Sequence, residues 1–207
     1  MTKIAILILA AGRSSRMGGR DKLLEEIDGT TLLARVTKRA LATGMQVVVT
    51  VPDANHPRAN LVKTGLASMV PVPDRDEGMA ASIRAGVKAL QHEETAVMIL
   101  PADMPDLQTS DLRALSMAFA KRPNNILRAT SADGTPGHPV IFPSDLLTAL
   151  TKVTGDSGAR SVIRANQDRL QTLSLPGNRA VCDLDTPQDW AKWRAAQALD
   201  QNKKAGR

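Results

Sequence analysis

Short runs of aliphatic residues alternate along the chain with segments in which apolar residues recur every three or four positions. The runs cover 3–9, 45–51, 70–73 and 96–100. Runs with so few polar positions are typical of strands buried on both faces of a parallel sheet. Helical spacing follows at 30–41, 79–90 and 109–119. The alternation predicts an α/β fold, Rossmann-like, with a mostly parallel sheet covered by helices on both faces.

The second half of the chain is less regular. Strands are predicted at 125–130, 140–142 and 170–175, and helices at 145–153, at 157–165 and from 187 onward. No repeat or linker interrupts the sequence, so we expect a single domain over 1–200. Residues 201–207 form a short basic tail that we expect to fray.

Charge and aromatic content narrow the class of ligand. The 207 residues include 27 Lys and Arg against 21 Asp and Glu, a net charge of +6, and the positive charges are spread along the chain. Only 2% of the residues are aromatic and none is tyrosine, which argues against the stacking surfaces that bind single-stranded nucleic acid. A dispersed positive charge favours a small anionic ligand, and we expect no nucleic-acid partner.

The cysteine count and the apolar runs bear on the compartment. Cys182 is the single cysteine, which excludes an internal disulfide framework and is compatible with a reducing compartment. The longest apolar run, 4–11, is less than half of the roughly 20 residues that span a bilayer. It also lacks the flanks of a signal peptide. We therefore expect a cytoplasmic protein with no membrane contact.

The segment after the first predicted strand combines small residues with cationic ones. Small residues let the backbone approach a ligand, and successive N–H groups can form an anion-binding concavity. Cationic side chains add charge-assisted donors for phosphate. Neither the Walker pattern nor Gly-x-Gly-x-x-Gly is present, so a solvated glycine turn is the alternative. The cationic residues of this loop are Arg13, Arg16, Arg20 and Lys22.

Carboxylates stand at two further positions of interest. Asp103 directly follows the predicted strand 96–100, and the carboxyl ends of parallel strands are where such folds bind ligands. There it could bind Mg²⁺, which takes one or two carboxylates plus phosphate oxygens and water; the alternative is a turn aspartate bonded to its own backbone. Asp183 and Asp185 precede Pro187, where capping of the last helix by Asp185 or by Thr186 is the alternative role.

Several segments, taken together, resemble one enzyme family. These segments are 9–12 (LAAG), 15–18 (SRMG), 22–24 (KLL), 78–86 (GMAASIRAG), 102–105 (ADMP), 136–140 (PGHPV), 155–160 (GDSGAR) and 183–187 (DLDTP). With them, the chain resembles the nucleotidyltransferases related to molybdopterin guanylyl- and cytidylyltransferases, in the family's order from residue 4 to about 190. The motifs at 136–140 and 183–187 are most similar to the molybdenum cofactor cytidylyltransferase branch.

This resemblance implies a fold of the nucleotide-diphospho-sugar-transferase type and a particular reaction. CMP would pass from CTP, with Mg²⁺ as cofactor, to the phosphate of molybdenum-molybdopterin. The products would be molybdopterin cytosine dinucleotide and pyrophosphate. The dinucleotide could then be handed to a molybdenum hydroxylase apoenzyme or its chaperone.

The resemblance also implies roles for individual residues. Arg16, Lys22 and Asp103 would be catalytic, with Asp103 and one or both of Asp183 and Asp185 binding the metal. The acceptor would be bound by Gly137, His138 and Arg160, although His138 could instead be a structural turn residue. The nucleotide would be bound by Leu9, Ala10, Ala11, Gly12, Ser14, Arg16, Gly18, Lys22, Ser82 and Ala102.

Three alternatives stay open at this stage. The first is the guanylyl version of the same reaction with GTP: guanylyl members usually have glycine at the position of Ala11, and we hypothesise that its methyl group narrows the base pocket to suit a pyrimidine. The second is a cytidylyl or sugar-phosphate nucleotidyltransferase with another acceptor. The third is a maturation factor that binds a nucleotide without catalysis.

Overall fold

A seven-stranded sheet forms the centre of the computed structural model, which describes residues 3–63, 65–90, 96–155 and 157–205. The strands are β1 (Ala5–Leu9), β2 (Glu26–Ile27), β3 (Thr30–Thr31), β4 (Gln46–Val51), β5 (Ser68–Pro71), β6 (Ala96–Pro101), β7 (Ile126–Thr130), β8 (Pro136–Pro143) and β9 (Leu170–Ser174). The helices are α1 (Leu32–Leu41), α2 (Pro57–Lys63), α3 (Met79–Lys88), α4 (Thr109–Ala120), α5 (Leu147–Leu150), α6 (Arg160–Ala165) and α7 (Pro187–Ala205).

The strand order is β5-β4-β1-β6-β8-β7-β9, while β2 and β3 form a separate hairpin. The first four strands are parallel, β8 runs antiparallel to both β6 and β7, and β9 is parallel to β7. The turn between β7 and β8 is too short for a crossover, so these two strands must pair antiparallel. The predicted mostly parallel α/β sheet is therefore confirmed.

Helices cover both faces because alternate residues of the central strands point to opposite sides. On β1, Ile6 and Ile8 belong to the core cluster that includes Leu33 and Leu112 of α1 and α4. Leu7 lies in the opposite cluster, with Ile83 of α3. Each of these strand residues is fully buried.

Some elements differ from the sequence prediction. The hairpin β2–β3 and helix α2 were not predicted, because two-residue strands and a seven-residue helix give almost no periodic signal. The predicted helix 145–153 is regular only over Leu147–Leu150, and that at 157–165 begins at Arg160. The backbone of α7 is helical through Ala205, within the tail expected to fray, and 206–207 lie outside the described residues. No helix in the described ranges is long and apolar enough to cross a membrane.

Candidate active site

The carboxyl ends of β1 and β6 lie side by side and bring two of the predicted site segments together. Leu9 and Pro101 are register partners at these ends, and the Ala102 amide donates to the Leu9 carbonyl over 3.2 Å. The loop 10–22 leaves β1 here, and Asp103 follows β6. The strand register therefore fixes the distance between the loop and this carboxylate.

Lys22 lies between two carboxylates at this edge of the sheet. Its Nζ is 2.5 Å from Asp103 Oδ2 and 2.6 Å from Asp185 Oδ1, with only 14% of the lysine side chain exposed. Arg16 reaches the other oxygen of the same aspartate, with Nη2 2.6 Å from Asp185 Oδ2. The structure thus brings together four of the predicted site residues, although they are separated by as much as 169 positions in the sequence. They are Arg16, Lys22, Asp103 and Asp185.

Burial and ion pairing act in opposite directions on this lysine. Burial alone would lower the pKa of Lys22, but the neighbouring Asp103 and Asp185 carboxylates raise it above its usual value. Burial alone would raise the pKa of Asp185. The hydrogen bond from Lys22 and the charge of Lys22 outweigh burial, so the pKa of Asp185 is lowered. Burial and then the charges of Asp103 and Asp185 raise the pKa of Asp183. Lys22 therefore stays protonated and positively charged, and it can bind an anionic group.

A backbone contact and a helix cap place Asp185 at this site. The Leu184 amide donates to the Asp103 carbonyl over 3.1 Å, which ties the segment before α7 to the end of β6. Thr186 begins the helix: its amide donates to Asp189 Oδ2 over 2.9 Å, and the Asp189 amide donates to its hydroxyl. Since Thr186 is the cap, the Asp185 carboxylate is left to bind Lys22 and Arg16.

The carboxylates suit a divalent cation that is shared with a phosphate. Asp103 Oδ1 is buried, and no hydrogen-bond partner for it is present in the described part of the chain; a buried carboxylate oxygen without a partner is a ready ligand for a hard cation. Among the described residues, no group of three or more His, Cys, Asp and Glu side chains is arranged as a metal site. The protein thus offers a partial shell, as Mg²⁺ sites completed by phosphate oxygens do.

The sequence prediction missed Arg58, which holds the loop from beneath. Its side chain is only 2% exposed, on α2, and its guanidinium donates to Asp21 at 2.6 Å and 2.7 Å. It also donates to the carbonyls of Ala10 and Gly12 and to the hydroxyl of Ser14. Ser14 is therefore bound inside the loop rather than turned toward a ligand. The signal available in the sequence was weak: an arginine among the inward-facing residues of a short helix.

Two of the predicted acceptor residues, His138 and Arg160, line a second cavity, and Gly137 precedes His138 outside its lining. Arg128 and Ser157 complete its polar groups, and apolar residues such as Phe142 line the remainder. Burial, followed by the Arg128 charge, lowers the pKa of His138 to about 4. Its Nδ1 is buried and has no partner among the residues described. The cavity therefore presents a neutral imidazole and two guanidinium groups.

At Gly137, strand β8 packs so closely against the backbone of Ala180, in the segment before α7, that no side chain fits between them. A Cβ atom at this position would lie 1.9 Å from the Ala180 carbonyl oxygen. The next residue uses the same carbonyl, because the His138 amide donates to it over 2.8 Å. Glycine thus allows the close approach that holds His138 at the cavity wall.

The remaining predicted nucleotide contacts lie around the loop. Ala11 is buried in a small cluster with Val72 and Ala81, next to α3. Ser82 is buried on the same helix. Gly18 ends a short helical turn at φ 61°, a conformation that glycine adopts without strain.

One known protein family matches most of this chain. Residues 6–171 match the family described as the MobA-like NTP transferase domain. The chain belongs to this family. It is therefore a nucleotidyltransferase, as predicted, and the matched range includes the loop 10–22, Asp103 and His138.

The relatives of this nucleotidyltransferase carry more than one name. A molybdenum cofactor guanylyltransferase of Pseudomonas paraeruginosa is 33% identical over 194 residues, covering 91% of this chain and 93% of that protein. A nicotine blue oxidoreductase of Paenarthrobacter nicotinovorans is 29% identical over 191 residues, covering 87% and 91%. No cytidylyltransferase name is among these relatives, so the predicted base is not confirmed.

A solved structure shows the same fold. Rv0371c from Mycobacterium tuberculosis, in complex with manganese, has a TM-score of 0.75 and 26% identity, and the match covers 92% of this chain and 97% of that one. A CMP:2-keto-3-deoxy-manno-octonic acid synthetase in complex with CTP, 17% identical, also superposes with a TM-score of 0.74. The predicted fold of the nucleotide-diphospho-sugar-transferase type is therefore confirmed.

Proposed function

We propose that this nucleotidyltransferase transfers a nucleoside monophosphate from a nucleoside triphosphate to the phosphate of molybdenum-molybdopterin. The observation that carries the proposal is the Lys22 ammonium, which lies between Asp103 and Asp185 at the end of the small-residue loop. The guanylyltransferase names of relatives supply the acceptor. A molybdenum hydroxylase apoenzyme or its chaperone is the proposed recipient of the dinucleotide.

The chain's own residues neutralise and orient the reacting phosphates. An oxygen of the acceptor phosphate attacks the α-phosphorus, the bond from that phosphorus to the β-phosphate oxygen breaks, and pyrophosphate leaves. Lys22 and Arg16 stabilise the negative charge that develops on the phosphoryl oxygens and the leaving group. The acceptor phosphate is already ionised, so the step needs positioning and charge neutralisation rather than a general base.

Asp103 and Asp185 would hold a divalent cation, with Mg²⁺ proposed and Asp183 available beside them. The cation would supply charge neutralisation at the phosphates. With the carboxylates on the cation, phosphate oxygens would be the anionic partners of the Lys22 ammonium. They would take over the role that Asp103 and Asp185 have in keeping the pKa of Lys22 raised.

The second cavity is the proposed acceptor site. Arg128 and Arg160 are close enough that the charge of Arg160, after burial, lowers the pKa of Arg128. No carboxylate lines the cavity among the described residues, and Arg128 Nε donates to the Gly137 carbonyl over 3.0 Å. Two neighbouring cations in such a cavity favour an anionic ligand, and the apolar wall suits a flat ring system. Gly137 and His138 would border this ligand.

We favour CTP as the nucleotide because Ala11 is buried and packs with Val72 and Ala81, where a methyl group reduces the space for a purine. GTP is the second candidate, favoured by the names of the relatives. Rates of pyrophosphate release with molybdopterin and each triphosphate decide between them. We expect CTP to be preferred and Ala11→Gly to shift the preference toward GTP. A wild-type preference for GTP would show that the base assignment is wrong.

The same assay separates the other candidates. A transferase for another acceptor would release pyrophosphate with that acceptor and not with molybdopterin. A maturation factor would bind the triphosphate and release no pyrophosphate with any acceptor. Formation of the dinucleotide, detected by its mass, is the result that the proposal requires.

A further inference from the structure

Arg58 of α2 donates hydrogen bonds to the backbone of the loop 10–22. Its Nη1 donates to the Ala10 carbonyl over 2.6 Å and to the Gly12 carbonyl over 2.7 Å. Both carbonyls are thereby turned toward the buried guanidinium. Arg58 is 48 positions from Ala10 and 46 positions from Gly12 in the sequence. These hydrogen bonds therefore depend on the tertiary fold and not on the local turn.

The direction of these carbonyls fixes the direction of the amides that follow them. In a trans peptide unit the C=O of one residue and the N–H of the next point to opposite sides. With the Ala10 and Gly12 carbonyls held inward, the Ala11 and Arg13 N–H groups point outward. Neither N–H donates to another residue in the described ranges, and Ala11 is fully buried.

A buried amide without a partner, such as that of Ala11, is costly unless a ligand satisfies it. Together with the Arg13 amide, which belongs to an exposed residue two positions on, it can form a concavity that accepts phosphate oxygens. The Arg58 charge does not cancel this effect, because Asp21 pairs with it: Arg58 Nη2 is 2.6 Å from Asp21 Oδ1. Asp21 also accepts a hydrogen bond from the Leu23 amide over 3.0 Å. The Arg58–Asp21 pair is thereby linked to the segment that carries Lys22.

We infer that Arg58, paired with Asp21, is a positioning residue that turns the Ala11 and Arg13 amides toward the triphosphate. It touches no reacting atom. Its effect passes through the loop backbone, so it acts on the phosphates, which every nucleoside triphosphate shares, and not on the base. The inference rests on the proposed function only in taking a nucleoside triphosphate as the ligand.

The test measures binding of CTP and GTP to the full chain by calorimetry. We expect Arg58→Ala to weaken both to the same degree, by about 10- to 100-fold, since a hydrogen bond to a charged group is worth about tenfold in affinity. Binding of cytidine, which lacks phosphates, should not change. Arg169→Ala is the matched control, because Arg169 also bonds a carboxylate and a backbone carbonyl but on the far part of the sheet.

Rescue separates positioning from a general loss of structure. Millimolar guanidinium, added to Arg58→Ala, can refill the vacated site, and we expect it to restore most of the lost affinity. It should leave the control and the unsubstituted chain unchanged. A folded Arg58→Ala chain with unaltered affinity, or a loss that guanidinium leaves in place, overturns the inference.

A second measurement covers the case in which Arg58→Ala does not fold. Hydrogen exchange of single amides, followed by NMR on the unsubstituted chain, should show the amide of the exposed residue Arg13 exchanging rapidly alone and slowly with CTP or GTP. Protection of the Arg13 amide before nucleotide is added contradicts the inference. Nucleotide binding without transfer to molybdopterin would overturn the proposed function alone, so the two failures are distinguishable.

Discussion

Lys22 shows how two carboxylates can stabilise a buried charged side chain. Its two carboxylate partners compensate for the burial of the ammonium, and the same contacts keep it fully charged. A cation held in this way is worth more to a developing negative charge than a hydrated one, because the surrounding dipoles are already arranged.

Lys22→Met keeps the length of the side chain and removes its charge. We expect the rate of pyrophosphate release to fall by about 100- to 1000-fold, the effect of losing several kcal/mol of charge stabilisation. Steady-state assays measure the loss, with Lys38→Met on the exposed face of α1 as the matched control. Equal rates for Lys22→Met and the control would exclude a catalytic role for Lys22.

His138 makes stability depend on pH in a defined window. Burial and the nearby Arg128 charge lower its pKa to about 4, against about 6.5 in an unfolded chain. The unfolded state therefore binds the extra proton first, so the contribution of this residue is present above pH 6.5 and is lost as the pH falls toward 4.

Urea unfolding at pH 7 and pH 4.5 measures this loss. Between these values we expect the unsubstituted chain to lose about 2 kcal/mol more than His138→Gln, which has no titrating ring. The carboxylates titrate in both chains and cancel in the comparison. Parallel losses in the two chains would mean that the imidazole is not buried in its neutral form.

Some residues of the site can be predicted from their position in the sequence, and others cannot. Asp103 and Lys22 follow predicted strands, and parallel strand ends meet at one edge, so their proximity follows from topology. Arg58 could not be found in this way, because an arginine on a seven-residue helix gives no hint of which distant carbonyls it will meet. The partner of Asp185 likewise depends on the path of the chain before α7.

At the scale of elements, the close contact of α3 with β1 depends on a missing side chain. A Cβ atom on Gly86 would lie 2.2 Å from Leu7 Cδ1, and Leu7 has no exposed surface to move into. The helix therefore lies directly on the strand that leads into the loop 10–22.

Gly86→Ala tests this packing. Alanine normally stabilises a helix interior relative to glycine, but here the overlap should lower the free energy of unfolding by about 1–3 kcal/mol. Gly65→Ala is the matched control, since the nearest atom to its Cβ would be 3.7 Å away. Denaturant unfolding measures both; a Gly86→Ala chain as stable as the control would mean that α3 can shift away at little cost.

Long, strongly patterned elements are where sequence and structure agree best. The runs of β1, β4 and β6 are almost wholly apolar because both faces are covered, and that pattern identifies such strands. The antiparallel direction of β8 and the hairpin β2–β3 depend on turn geometry and tertiary pairing, which hydrophobic periodicity does not encode.

At the scale of the whole molecule, the parallel half of the sheet supplies the proposed nucleotide site, and β7 and β8 supply the proposed acceptor cavity. The two meet where β6 pairs with β8, so one strand boundary separates the donor from the acceptor. A net charge of +6 suits a protein whose two proposed substrates are both anionic.

The most direct test of the central claim is pyrophosphate release from CTP and GTP with Mg²⁺ and molybdenum-molybdopterin, comparing the unsubstituted chain with Asp103→Asn. Lys22 keeps Asp185 in this variant, so the change reports on the Asp103 carboxylate itself. We predict a loss of at least about 100-fold, with Asp145→Asn unaffected and with chelation of the metal abolishing release by the unsubstituted chain. Release by Asp103→Asn at the full rate, or release that survives chelation, would contradict the account.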